Sequence, residues 1–152
     1  MALDDDLVKQ ITQELRADEG TRYRPYDDAT GATVYTLPTG GNLTIGIGRN
    51  LSARPLSPDE VDYPLRNDLR LCYQAARQVF PDFDTYSQNR RAALLNLLFN
   101  LGPGTFITFK NTIKAVREQR WADAATNLLA SRWATQIQPS RRDRIVKQIR
   151  EG

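Results

Sequence analysis

The sequence has no histidine and a single cysteine, Cys72, in its 152 residues. Without imidazole there is no Ser-His-Asp or Cys-His machinery and no zinc centre built on histidine ligands. One cysteine permits no internal disulfide. Acid–base chemistry must therefore run on carboxylates, with Lys and Tyr as lesser candidates. Long hydrophobic runs are missing as well: nothing approaches the roughly 20 consecutive apolar residues of a membrane span, so no transmembrane segment is expected. The start, Met1-Ala2-Leu3-Asp4-Asp5-Asp6, is acidic and lacks an apolar signal core, which predicts cytoplasmic accumulation rather than conventional secretion.

What remains is an ordinary globular composition, long enough for one domain with a real core. The net charge of +3 hides an asymmetry. Residues 1–60 hold ten acids against six bases, net −4, and the remainder holds fifteen bases against eight acids, net +7. A basic half suits a polyanion, although scattered Arg and Lys most simply read as a solvated helical surface.

Leu7, Val8, Ile11 and Leu15 recur at helical spacing behind capping aspartates, predicting a helix over Asp5 to Ala17 that stops near Gly20. The runs "ATVYTL" and "LTIGIG" flank Pro38-Thr39-Gly40-Gly41-Asn42 and predict a hairpin. In "LTIGIGRN", strand alternation would put Leu43, Ile45 and Ile47 on one face and Thr44, Gly46 and Gly48 on the other. Glycines on one face of a strand suggest a shelf that a ligand approaches closely. Ser57-Pro58-Asp59-Glu60 reads as a capping box opening a helix with Pro64 as a kink or restart. "AALLNLLFNLG", Ala92 to Gly102, is apolar almost all round, as for a buried central helix ended by Gly102-Pro103-Gly104. Shorter helices are expected at about Thr108 to Gln119, Trp121 to Ser131 and Pro139 to Arg150, with Trp121 and Trp133 in the core.

Asp18-Glu19-Gly20 is oddly placed, because carboxylates at a helix C-terminus oppose the helix dipole. That setting favours a neutral carboxyl, which a general acid needs near neutrality. Asp28 lies nine residues after Glu19 and precedes the segment carrying Thr44. One protonated and one ionised carboxyl are the equipment of glycosidic hydrolysis.

The segments "LRADEGTRYRPYDD", "LTIGIGRNLS", "RRAALLNLLFNLG" and "RWADAATNLLASRW", in this order, resemble the phage-type lysozymes of glycoside hydrolase family 24 over nearly the whole chain, including that family's Glu, eight residues, then Asp. The resemblance implies an α+β, lysozyme-like fold in a single catalytic domain. A small hairpin lobe would cover about 18–57 and a mainly helical lobe about 58–152, packed with the N-terminal helix, with the cleft between them.

The same resemblance makes Glu19 the acid that protonates the leaving sugar, with Asp28 positioning the attacking water, Thr44 helping to hold it, and inversion at the anomeric carbon. Arg141 matches the family's partner for the catalytic glutamate and Arg144 the partner for Asp18. An arginine favours the ionised carboxylate and so opposes the helix-end effect at Glu19. Gly46, Gly48, Phe99, Asn100, Gly102 and Asn127 would line the saccharide site, although Phe99 reads equally well as core. The segment between Asp28 and Thr44 is longer than the compact family pattern, which leaves Asp27 as an alternative second carboxylate.

The implied activity is cleavage of the β-1,4 bond between N-acetylmuramic acid and N-acetylglucosamine of bacterial peptidoglycan. It needs no metal or organic cofactor, and the protein would be a monomeric endolysin. It would stay in the host cytoplasm until lysis and reach the periplasm and cell wall through a holin or another route. Two rivals stand beside this reading. One is a basic helical nucleic-acid binder using Arg141, Arg142, Arg144, Lys147 and Arg150, with a steep salt dependence. The other is a lytic transglycosylase, which needs only one acidic group.

Overall fold

The computed structural model describes residues 4–27 and 29–152. The chain forms two compact units, Met1–Asp18 with Asn67–Gly152, and Glu19–Arg66. Its class is α+β, mainly helical with a small two-stranded antiparallel sheet.

In the first unit, α1 (Asp5–Glu19) buries Leu7, Val8, Ile11 and Leu15 on one face, as the spacing predicts, and Gly20 ends it at φ 73°. A left-handed residue just past a helix is glycine's usual place. Helix α2 (Pro58–Val79) runs unbroken through Pro64 and buries Leu69, Cys72, Tyr73 and Ala76. Helix α3 (Gln88–Phe106) is the centre: Ala92 to Leu98 are all buried. Gly102, at φ 71° and ψ 154°, breaks the helix there. That region of backbone space is essentially reserved for glycine.

Four shorter helices follow: α4 (Lys110–Arg117), α5 (Trp121–Leu129), α6 (Arg132–Gln136) and α7 (Pro139–Glu151). Helix α5 packs on α4 and α7, and α3 packs on α7. An aromatic cluster fills the space beside α3, with Phe80 edge-on to Phe106 at 6.0 Å and Tyr86 edge-on to Trp121 at 5.0 Å. Trp133 is buried, whereas Trp121 is half-buried beneath the Arg90 guanidinium, 4.2 Å from its ring.

In the second unit the sheet consists of β1 (Thr44–Ile45) and β2 (Arg49–Asn50), pairing Thr44 with Asn50 and Ile45 with Arg49. This corrects the single-strand reading of "LTIGIGRN". The chain reverses at Gly46-Ile47-Gly48, both glycines have positive φ (59° and 70°), and Ile47 is fully exposed. Backbone conformation, not strand alternation, explains the glycines. The "ATVYTL" run is not a regular strand either. Isolated bridges join Tyr26 to Thr33 and Thr36 to Asn42, with Leu37 and Gly41 closing the turn between the latter pair.

Candidate active site

The end of α1 is anchored by charge. Asp18 Oδ2 accepts from Arg144 Nη2 at 2.5 Å and from Asn96 Nδ2 at 3.2 Å, and Arg141 Nε lies 3.1 Å away. The Asp18 and Arg141 side chains are each only 5% exposed. Asn96, fully buried in α3, accepts from Arg141 Nε at 3.0 Å and Nη2 at 2.8 Å. Two guanidinium groups from α7 thus offset the dipole that opposes a carboxylate at this helix end. Glu14, one turn earlier, accepts from Gln148 at 2.6 Å and lies 3.6 Å from Arg144 Nε.

Of the residues expected at the site, the structure brings Asp18, Arg141 and Arg144 together, with Asn96 at the hub. Glu19 is the exposed last residue of α1. Asp28 lies outside the described residues. The Asp27 carboxylate is engaged in its own turn, Oδ1 accepting from the backbone N–H of Ala29 at 2.8 Å and Thr30 at 3.2 Å. Thr44 is exposed in β1 and donates to the Asn42 carbonyl at 3.3 Å.

In the helical unit, Asn100 Oδ1 accepts from Trp133 Nε1 at 3.0 Å. Phe99 is half-buried beside it in α3. Asn127 borders an open pocket of about 430 Å³ together with Phe109, Asn111 and Thr112.

Sequence reasoning missed Asn96. Its signal was present, since it is the one polar residue among Ala92 to Leu98, and a buried amide must find partners. Also missed was the ion pair between Arg49 and Glu60 in the hairpin unit, whereas the Ser57–Glu60 capping box is present as the sequence predicts. Ser57 and Glu60 exchange capping bonds, Ser57 N–H to Glu60 Oε2 at 2.7 Å and Glu60 N–H to Ser57 Oγ at 3.4 Å. Glu60 also pairs with Arg49, whose Nη2 donates to the Pro55 carbonyl at 2.6 Å. The Arg49 guanidinium first, then the Ser57 N–H, hold the Glu60 carboxyl at about 2 instead of 4.5. Cys72 is no nucleophile: burial, reinforced by Asp68, pushes its thiol up to about 11.

The combination is an α+β protein with an exposed glutamate at the end of a helix pinned by a buried aspartate–arginine network. The model of the phage lysozyme family matches residues 16–145, and the chain belongs to that family. It is a glycoside hydrolase of the muramidase type, acting on peptidoglycan. Two relatives from Dictyostelium discoideum are "Probable T4-type lysozyme 1", 27% identical, and "Probable T4-type lysozyme 2", 24% identical. Each comparison covers 96% of this chain and 96% of the relative.

Proposed function

We propose that the protein is an inverting endolysin that hydrolyses the β-1,4 bond between N-acetylmuramic acid and N-acetylglucosamine. Glu19 donates the proton to the departing sugar oxygen. Asp28 polarises water for attack from the opposite face, and the Thr44 hydroxyl helps hold that water. Gly46, Gly48, Phe99, Asn100, Gly102 and Asn127 contact saccharide.

One observation carries the reading. The α7 arginines and Asn96 clamp Asp18, the residue immediately before Glu19, while Glu19 itself stays exposed. A general acid gains from a fixed backbone and a solvent-accessible side chain, because proton transfer depends on geometry. The engagement of Asp27 in its turn favours Asp28 as the second carboxylate. In the host the chain acts as a monomer, accumulating in the cytoplasm and reaching the periplasm and wall through a holin or another route.

Product analysis tests the chemistry. Digestion of purified peptidoglycan should give reducing muropeptides that carry one added water, with the α-anomer appearing first by NMR. Anhydro products instead would make the enzyme a transglycosylase, and first appearance of the β-anomer would rule out inversion.

A further inference from the structure

Helix α4, Lys-Asn-Thr-Ile-Lys-Ala-Val-Arg, carries Lys110, Lys114 and Arg117 at i, i+4 and i+7, one stripe of cations on a helix without an acid. Like charges at that spacing disfavour the helix they sit on. Elsewhere in the same unit Arg77, Arg91, Arg120 and Arg144 each hold a carboxylate. Among the described residues no carboxylate pairs with Lys110, Lys114 or Arg117; Arg117 Nε donates to the Val79 carbonyl at 2.7 Å.

The stripe borders an open groove of about 510 Å³ floored by Val79, Ile107 and Ile113. Ile107 is 56% exposed. Glu118 also borders the groove, but Arg120 holds its carboxylate. The field over the groove is therefore positive, and its floor is apolar.

We propose that this face of α4 docks on an anionic bilayer surface. Lys110, Lys114 and Arg117 meet lipid phosphates while Ile107 enters the boundary between headgroups and acyl chains. Charge complementarity selects the occupant: unpaired cations call for a dense anionic surface, and an exposed isoleucine among them suits an interface with an apolar layer beneath it. Attachment of this kind is peripheral. No single helix among the described residues is long and apolar enough to cross a membrane.

Co-sedimentation of the full chain with phosphatidylglycerol–phosphatidylcholine vesicles, beside phosphatidylcholine alone, tests the proposal. Each cation near an anionic leaflet strengthens binding about fivefold, so the charge reversal Lys114→Glu should weaken it about 25-fold. Ile107→Ser, which leaves the charge intact, should weaken it several-fold. Both variants should keep wild-type activity on soluble peptidoglycan fragments and an unchanged circular dichroism spectrum. Four results would each overturn the proposal: binding unchanged by Lys114→Glu, equal binding to neutral vesicles, displacement by millimolar inorganic phosphate at constant ionic strength, or loss only when Arg142 and Lys147 of α7 are replaced by Ala.

Discussion

Arg144 and Asp18 are 126 positions apart in sequence, yet Nη2 of one lies 2.5 Å from Oδ2 of the other. Through this bond and the neighbouring Arg141, the last helix of the chain fixes the last turn of the first. Asp18→Ala removes the shared acceptor and leaves the Arg141 guanidinium buried without it. Breaking a buried charge network in this way costs about 3–5 kcal/mol. Calorimetry should show a fall in Tm of roughly 10 °C or more. Arg144→Ala should cost less, because that side chain is 30% exposed and Arg141 remains. A Tm within a degree of wild type for Asp18→Ala would show that the network contributes little.

Glu60 gives a pH dependence with a defined sign. Its folded-state pKa is depressed to about 2 by Arg49 and the Ser57 N–H. The stabilisation is therefore fully present above the unfolded value near 4.5 and is lost as pH falls toward 2. Urea midpoints of wild type and Glu60→Gln should differ at pH 7 and draw together between pH 4.5 and pH 2.5. A gap that stays constant over that interval would mean that the ion pair is not the source. The effect should be small, since the Glu60 side chain is 41% exposed and solvent screens the pair.

Gly102 and Gly104 form a matched pair. An added Cβ would meet nothing within 4 Å at either position, but only Gly102 has positive φ, 71°. Gly102→Ala should therefore destabilise by about 1–3 kcal/mol through backbone strain alone. Gly104→Ala should be neutral or slightly stabilising, because alanine narrows the unfolded ensemble. Thermal unfolding of the two variants side by side separates conformation from crowding. Equal losses would refute the strain account.

Much of the helical structure was legible in the sequence because each helix carries a one-sided or all-round apolar pattern and a recognisable end. The Ser57–Glu60 box, the Leu7–Leu15 stripe and the Ala92–Leu98 run each reappear as a cap, a buried face and a buried centre. The hairpin unit was harder to read. In "LTIGIG" the alternation of apolar residues and glycines mimics a strand, yet the same glycines supply the positive φ that a reversal needs. Helix α6 spans only Arg132–Gln136, too short for its period to show. Of the site, the carboxylates and arginines could be picked out by type and by family pattern. The partners of their hub, Asn96, emerged only from packing, because they come from α1 and α7.

The proposed mechanism has Glu19 supply the proton for glycosidic cleavage. Turbidity loss of purified peptidoglycan, wild type beside Glu19→Gln and Asp28→Asn, tests it most directly. Glu19→Gln should lower the lytic rate by a factor of about 10² or more while Tm stays within a few degrees of wild type. A Glu19→Gln enzyme that folds and lyses at the wild-type rate would contradict it.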